Sequence, residues 1–301
     1  MSTIIDLSRL PPPDVVEPLD FEQILAERKA GYLTLFPADQ QPAIAATLAL
    51  ESEPVVKLLQ ESAYRELLLR QRINDSARAV MLAYAQGADL EHLGALFGVE
   101  RLVVKPADPI TGAAAVMESP ADFRMRIQLA PQGFSVAGPA GAYRSHALGA
   151  DGRILDAMPT SPSPCQVLVT ILSREGDGTA GIELVDAVTT ALAADNVRPL
   201  TDEVLVQSAE IIAYRVRAKI YTFPGPDSGV VLKEARSRLD AYVAETHRIG
   251  REVTLSGLYA ALHVDGVERV ELLEPAESLT TTRTQAPFCL AIDIEHGGTY
   301  E

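Results

Sequence analysis

The sequence predicts an α+β protein, in which a helical, bundle-forming N-terminal region precedes a C-terminal region of alternating strands and helices. In the first third of the chain, apolar side chains recur at helical spacing, most clearly from Ser52 to Gln86. From Asp151 onward, short runs that alternate apolar and polar residues replace that spacing. Hydrophobic residues make up 47% of the 301 residues and charged residues 22%, which is enough apolar material for folded cores.

Charge and composition exclude several classes of protein. Lys and Arg number 26 against 41 Asp and Glu, so the net charge of -15 is opposite to what nucleic acid or anionic lipid attracts. Two cysteines and five scattered histidines predict neither a disulfide framework nor a metal site. The N-terminus lacks the features of a signal peptide, and no stretch approaches the roughly 20 apolar residues of a membrane span. We therefore expect a reducing compartment, no cofactor, and neither nucleic acid nor membrane as a partner.

Four helices are predicted in the N-terminal third. A cluster of prolines predicts an extended segment over residues 1–19, because proline fixes φ and removes a hydrogen-bond donor. Asp20 is expected to cap the first helix, and Ser52 the third, whose first turn contains Pro54. Gly98 is expected to end the fourth. The predicted helices are 21–35, a segment from Pro42 to about Ser52, 52–86 and 87–102.

The third predicted helix has more apolar surface than one neighbouring helix would cover. Its apolar positions spread well beyond the arc of a single contact surface. Two explanations stay open: the other N-terminal helices of this chain cover the excess, or another chain completes a helix bundle. The residues predicted for the bundle interface are Val55, Val56, Leu59, Ala63 and Leu67, and Leu58, Tyr64, Leu68 and Leu69 widen the surface.

The remainder of the chain is predicted to be a linker followed by mixed structure. Residues 103–119, with two prolines and a glycine, predict a linker or mobile loop. Ser119 is expected to cap a short helix that ends at Pro131, and another helix is expected from about Gly138. The further predicted strands are 153–157, 166–172, 203–208, 210–222, 267–273 and 288–294, and the helices are 181–195, 229–247 and 254–263. From residue 166 onward, this order resembles a split βαβ arrangement.

A glycine-rich loop is the one motif that suggests an enzyme. Gly176, Gly178 and Gly181 fit G-x-G-x-x-G between a strand and a helix, the pattern of a loop that binds a dinucleotide pyrophosphate. Three residues separate the strand from the first glycine, and Asp177 would place a carboxylate in the anion site. The segment 210–222 also alternates, as a half-exposed antiparallel strand does. We prefer a hairpin or helix-entry loop, with a nucleotide-binding enzyme as the alternative.

Other candidate sites are few. Arg215, Arg217 and Lys219 share one face of their strand, and form either a solvated sheet face or a surface for an acidic partner. Cys289 lies in an apolar run typical of a core, and Cys165 is far in sequence from any histidine that could activate it. We predict no catalytic residue and no metal ligand.

Five segments follow one another along the chain in a recognisable order. They are AQGADLEHLGALFGVERL (85–102), ESPADFRMRIQLAPQGFSVAGPAGAYRSHALGAD (118–151), SPSPCQVLVTILSREGDGTA (161–180), VRPLTDEVLVQSAEIIAYRVRAKI (197–220) and LYAALHVDGVERVELLEP (258–275). Together they resemble the baseplate J-like family, the wedge proteins of contractile phage tails and of R-type, tail-like bacteriocins (tailocins such as pyocins). Two departures are Cys165, where a small residue is expected, and the loop 103–119, a variable place in this family.

The resemblance implies structural work and no enzyme activity. In this family, two copies in different conformations join a smaller wedge protein through N-terminal helices, and the C-terminal domain pairs with that of a neighbouring wedge. The wedges form a ring around the hub and spike, and its rearrangement on receptor engagement releases contraction of the sheath. The implied location is the bacterial host cytoplasm during assembly, then the baseplate of a phage tail or tail-like particle. A related contractile injection or type VI secretion machine is the alternative.

The resemblance also implies a domain organisation and a set of signature positions. The domains are 1–102, an extended arm and helical wedge-bundle region; 103–160, a linker and small mixed segment; and 161–301, a C-terminal α+β dimerisation domain. The interface or fold-signature residues are Asp89, Leu90, Leu93, Phe97, Arg124, Arg126, Arg198 and Asp202. A local role stays open for each of them. Asp89 is then an acid at a helix N-terminus, and Leu90, Leu93 and Phe97 are core residues. Arg124 and Arg126 pair with nearby acids, Asp202 shapes the turn into the strand at 203, and Arg198 donates to carbonyls of the same turn.

Overall fold

The computed structural model describes residues 5, 7, 10, 11, 13–134, 138–194, 197–225 and 227–299. It shows an α+β protein, as the sequence predicts. The chain divides into two units, one ending at Leu96 and one beginning at Phe97. Much of the segment predicted to be extended, at residues 1–4, 6, 8, 9 and 12, lies outside the described residues.

The N-terminal unit contains four helices within its described residues. Asp20 caps the first of them as predicted, because its carboxylate accepts hydrogen bonds from the amides of Glu22 (2.8 Å) and Gln23 (3.3 Å). The helices are α1 (Phe21–Leu33), α2 (Gln41–Leu48), α3 (Pro54–Ala79) and α4 (Gly87–Ala95).

The third helix is shorter than predicted at both ends. It begins at Pro54 after Glu53, whose side chain makes no capping hydrogen bond, so the assignment of Ser52 as the cap is wrong. At the other end, helical hydrogen bonding stops at Ala79, and the Met81 amide bonds within a turn instead. The apolar spacing that suggested a longer helix therefore continues into a turn.

The segment predicted to be a linker folds into a short hairpin in the second unit. Strand β1 (Val103–Lys105) pairs antiparallel with β2 (Val116–Met117), and a bridge joins Asp108 to Ala113 near the tip. The Asp108 carboxylate accepts a hydrogen bond from the Ile110 amide at 2.8 Å, which fixes the turn. The prolines and the glycine of this segment thus mark the turn of a hairpin.

The central sheet has the strand order β3-β4-β5. β3 and β4 are antiparallel, whereas β4 and β5 are parallel and are connected by α7. Ser119 caps α5 as predicted, since its hydroxyl accepts from the Asp122 amide at 3.1 Å. The elements are α5 (Pro120–Gly133), α6 (Ala140–Ala150), β3 (Ile154–Thr160), β4 (Gln166–Ser173), α7 (Ile182–Ala193) and β5 (Glu203–Ser208). Segments on both sides of residue 160 therefore share one sheet.

The C-terminal sheet has the order β7-β6-β8, and α8 and α9 cover one of its faces. Strand β6 alternates as predicted: Val216, Ala218 and Ile220 are buried, and the residues between them are exposed or half-buried. It pairs antiparallel with β7 but parallel with β8, so the prediction of a purely antiparallel strand is wrong. The elements are β6 (Glu210–Thr222), α8 (Ser228–Thr246), α9 (Leu255–Leu262), β7 (Val267–Glu274) and β8 (Gln285–Thr299).

The split βαβ prediction is also wrong, because the strands after residue 165 form two sheets rather than one. Only Ala209 separates β5 from β6, and the chain passes from one sheet to the other at that residue. Among the described residues, thirteen buried ones form the main core of the C-terminal sheet, whereas the core between α1 and α3 contains three. None of the described helices combines the length and the apolar character that a bilayer crossing requires.

Candidate assembly surfaces

One face of α3 packs against α1 of the same chain. Ala63 is buried with Ile24 and Leu25, and Leu59 and Leu67 are partly buried beside them. This arrangement agrees with the alternative in which N-terminal helices of this chain cover part of the apolar surface. The residues predicted for a bundle interface, Val55, Val56, Leu59, Ala63 and Leu67, are thus all buried or half-buried within this chain.

Charged side chains reinforce the contact between α1 and α3. The Arg28 guanidinium pairs with the Glu66 carboxylate and donates to the Ser62 hydroxyl at 2.8 Å. Arg70, one turn along α3, pairs with the same carboxylate at 2.7 Å. The hydrogen bonds from Arg28 and Arg70 hold the pKa of Glu66 below its usual value.

A second apolar surface of α3 is exposed. Leu69 follows Leu58 by eleven residues, and Ile73 follows Leu69 by four, so the three side chains line one side of the helix. We name this side the outer stripe. Tyr64 and Leu68 are exposed on the adjoining side. Ile73 was not singled out from the sequence, although its spacing of four from Leu69 is the signal that finds it. Clustered apolar side chains on a helix are typical of a surface that another helix covers.

Glu17, shortly before α1, is fixed to α3. Asn74 is buried, and its amide group donates to the Glu17 carbonyl at 2.9 Å while its oxygen accepts from the Glu17 amide at 3.1 Å. Arg70 also reaches the Glu17 carboxylate at 3.5 Å. Both polar groups of this buried amide are thus satisfied, and they hold the backbone of Glu17 against α3.

A buried ion pair closes the base of the β1–β2 hairpin. Glu118, which is 1% exposed, pairs with Arg126 and accepts from the Leu102 amide at 2.9 Å. Arg126 also donates to the Glu100 carbonyl at 3.0 Å, so this arginine has the local partners that the sequence left open. At the other end of the hairpin, Ile110 is 93% exposed. The hairpin therefore presents an apolar tip on a fixed base.

The other signature positions of this part of the chain differ in burial. Asp89 lies in the first turn of α4, where a carboxylate favours the helix dipole. Leu90 is buried and Leu93 is half-buried, whereas Phe97 follows the end of the helix and is exposed. Arg124 is half-buried on α5. The two leucines thus have the core role that was their alternative.

Asp202 and Arg198 hold a loop against α6. The buried Tyr143 hydroxyl donates to the Asp202 carboxylate at 2.7 Å. Burial and this hydrogen bond raise the pKa of Tyr143 well above its usual value. Arg198 donates to the Asp202 carbonyl at 3.4 Å, the bond within its own turn that the sequence suggested. At Gly138, an added Cβ would lie 3.1 Å from the same carboxylate, so a glycine permits this close approach.

Backbone amides of the loop Gly176–Gly181 donate hydrogen bonds to side chains of this chain. The Thr179 amide donates to the Asp177 carboxylate at 3.0 Å, and the Ala180 amide donates to the Ser208 hydroxyl at 2.9 Å. A pyrophosphate site needs free amides at this place, so the geometry favours a helix-entry loop. Within the part of the chain that the structure describes, no group of three or more His, Cys, Asp or Glu side chains could hold a metal ion.

The outer face of the C-terminal sheet carries both signs of charge. Arg215, Arg217 and Lys219 lie on β6, on the face opposite α8 and α9. Arg217 lies between Glu274 and Asp293 of the neighbouring strands and pairs with Glu274 at 3.2 Å. The acids in register with the basic residues are Glu271, Glu274, Asp293 and Glu295. This balance favours a solvated sheet face over a surface for an acidic partner.

The chain matches three domain families in sequence order. The Baseplate J-like N-terminal domain matches residues 51–108, the Baseplate J-like central domain 135–208, and the Baseplate J-like protein C-terminal domain 214–295. Baseplate protein J of Escherichia phage P2 is 53% identical to this chain over 300 residues, which are 99% of each protein. Among solved structures, the cryo-EM baseplate of the anti-feeding prophage matches with a TM-score of 0.37 and 16% identity, over 65% of this chain and 50% of that chain.

Proposed function

Because this chain belongs to the baseplate J-like family, we propose that it is a structural subunit of the baseplate of a contractile phage tail or tail-like particle. The observation that carries the proposal is its 53% identity to Baseplate protein J of phage P2 across the full length of both proteins. That relationship supports a tail particle rather than a secretion machine. A structural role, without catalysis, is supported by the glycine-rich loop, where the Thr179 amide donates to Asp177 of the loop and the Ala180 amide to Ser208 of β5.

The N-terminal helices are proposed to join a wedge bundle with a second copy of the chain, in another conformation, and with a smaller wedge protein. The outer stripe of α3 supports this proposal, since Leu58, Leu69 and Ile73 are exposed on a side of the helix that α1 leaves uncovered. Of the residues first predicted for this contact, Leu59, Ala63 and Leu67 pack against α1, so we place the proposed bundle contact at the outer stripe. An apolar stripe of this kind fits the groove between two further helices.

The C-terminal sheet is proposed to pair with the same sheet of a neighbouring wedge. Strand β8 supports this proposal, because it is an edge strand of its sheet and runs over Gln285–Thr299. Long edge strands offer unpaired backbone groups to another chain. Wedges joined at both ends would close into a ring around the hub and spike. Rearrangement of this ring on receptor engagement would release contraction of the sheath. We also propose that the baseplate assembles in the cytoplasm of the bacterial host.

The experiment that tests this function is particle assembly by full-length variants. Leu69→Asp places a charge on the outer stripe at a side chain that is 66% exposed, so the chain should fold while assembled baseplates are lost. Val230→Asp is the matched control, because Val230 is also 66% exposed but lies on α8. Particles are counted by electron microscopy, and proteins that co-purify with the tagged chain are identified by mass spectrometry.

Two results would contradict the proposal at different levels. Normal particle numbers with Leu69→Asp would show that the outer stripe lies outside the wedge bundle. Recovery of the tagged wild-type chain without sheath, hub or small wedge proteins would overturn the baseplate function itself.

A further inference from the structure

The central sheet and the C-terminal sheet meet at a single buried residue of the chain. The Ala209 amide donates to the Ile171 carbonyl of β4 at 2.8 Å, in continuation of the central sheet. The next amide, of Glu210, donates to the Thr284 carbonyl at 2.9 Å and begins the pairing of β6 with β8. The direction of the C-terminal sheet therefore depends on the few backbone dihedrals around Ala209.

The segment after α8 makes a second contact between the two sheets. Ile249 is buried in a small apolar cluster with Leu172 of β4, Ala209 and Ala286 of β8. Its amide donates to the Asp156 carboxylate of β3 at 3.1 Å. An apolar side chain and a backbone hydrogen bond thus dock this segment on the central sheet.

Two carboxylates beside the central sheet hold the same segment. Asp156 is buried and also accepts a hydrogen bond from the Arg144 guanidinium at 2.8 Å. Asp122, in the first turn of α5, pairs with Arg174 at 2.7 Å and with Arg248 at 3.5 Å. The contact with Arg248 is the longer of the two, and it is the one that reaches across to the C-terminal sheet.

His247 closes the other side of the segment. Its Nδ1 is hydrogen-bonded to the Pro287 carbonyl of β8 at 2.6 Å. A Cβ added at Gly178 would lie 3.0 Å from the imidazole ring, so the glycine lets the loop before α7 pack against this side chain. The second glycine of the G-x-G-x-x-G pattern thus has a packing role at this contact.

The docked arrangement leaves one buried polar atom unsatisfied. Within the described residues, the Arg144 Nε is buried and has no hydrogen-bond partner, although the same guanidinium binds Asp156. Buried N–H groups without a partner are rare in folded proteins because they lose their bonds to water. Removal of Ile249 from its place would uncover Asp156 and let water reach this guanidinium, which favours an undocked state.

We propose that residues 247–249 form a latch that docks the C-terminal sheet on the central sheet, and that its opening lets the C-terminal sheet turn about Ala209. The apolar cluster of the latch contains four buried residues, against thirteen in the core of the C-terminal sheet. A contact this small and polar opens without unfolding either sheet. The inference goes beyond the proposed function, because it locates a hinge and a contact within the chain and requires no baseplate.

Amide hydrogen exchange in the full-length protein tests the latch. The Ile249 amide reports its state directly, because its acceptor is Asp156. In Arg248→Ala we expect this amide to exchange about tenfold faster, while amides of β6 such as that of Val216 keep their rates. Arg251→Ala is the matched control, since Arg251 is an exposed neighbour whose guanidinium pairs with the exposed Glu245 at 3.8 Å.

Ile249→Ala provides a second variant with a different readout. Trypsin cleaves after Arg248 only when the segment has left the central sheet, so we expect cleavage there about tenfold faster than in wild type. The unfolding temperature of the C-terminal core should change little. The latch proposal would be overturned if the Ile249 amide exchanged at the same rate as the Val216 amide in every variant. It would also be overturned if the Ile249 amide kept its wild-type exchange rate in Arg248→Ala. Cleavage after Arg248 that accelerates only where the whole chain unfolds would overturn it as well.

Discussion

The N-terminal helices and the C-terminal sheet bury apolar residues to very different extents. The sheet has a core of thirteen buried residues between β6, β7, α8, α9 and the turns that join them. The core shared by α1 and α3 consists of Ile24, Leu25 and Ala63, while Leu58 and Leu69 of α3 are exposed. A region with so few buried side chains gains little stability of its own from burial. The comparison teaches that the C-terminal sheet covers one of its faces within the chain, whereas α3 keeps part of its apolar surface exposed.

The comparison predicts that a leucine-to-alanine change has a large effect on stability in the C-terminal sheet and a small one on the outer stripe. Leu258→Ala, in the core of the C-terminal sheet, should lower the free energy of unfolding by about 3 kcal/mol, because its side chain is fully buried. Leu69→Ala, on the outer stripe, should change it by less than about 0.5 kcal/mol. Urea unfolding of the two purified variants measures both values. A large loss of stability in Leu69→Ala would mean that α3 is already covered in the isolated chain.

The same difference explains how much of the fold could be predicted. The strand at 210–222 and the helix near 229–247 match β6 and α8 closely, because one-sided burial leaves a periodic pattern in the sequence. The parallel pairing of β6 with β8 was not predicted, since no local pattern records which distant strand is the neighbour. For α3, the sequence showed excess apolar surface but not which side α1 covers.

At the candidate surfaces too, contacts between residues close in sequence were easier to predict than contacts between distant segments. Asp20 and Ser119 were predicted as helix caps from the sequence alone, because a cap acts on amides two or three residues away. The buried acids Glu118 and Asp156 were not singled out, because their partners come from other elements of the fold. Local chemistry could therefore be predicted, whereas chemistry between distant segments could not.

Tyr143→Phe tests a polar contact of the central region. Loss of the hydrogen bond to Asp202 should lower the free energy of unfolding by about 1 kcal/mol near neutral pH. The pKa of Tyr143 is raised in the folded state, so the contribution is complete below the unfolded value of 10.0 and is lost as the pH rises through the folded value. Urea midpoints at about pH 8 and about pH 11 should show the difference between variant and wild type shrinking. A constant difference would contradict this assignment.

A pair of helix caps compares the two regions directly. Asp20 caps α1, and Asp227 caps α8 by accepting from the Gly229 amide at 2.8 Å. Each change to Ala should cost about 1 kcal/mol. Asp20→Ala should raise amide exchange in α1 alone, whereas Asp227→Ala should lower the stability of the entire C-terminal sheet. If each substitution raised amide exchange equally in both regions, the two regions would unfold as one cooperative unit.

Acidification should loosen the N-terminal helices before the C-terminal sheet. Hydrogen bonds from Arg28 and Arg70 lower the pKa of Glu66, so their stabilisation is present above the unfolded value of 4.5 and is lost as the pH falls through the folded value. Amides of α1 should then exchange faster on acidification in wild type, and Glu66→Gln should remove most of this pH dependence. Glu61→Gln is the matched control, because Glu61 pairs with Arg65 of its own helix. Since the Glu66 contact joins α1 to α3, an unchanged pH profile in Glu66→Gln would mean that the three buried apolar residues hold these helices together without it.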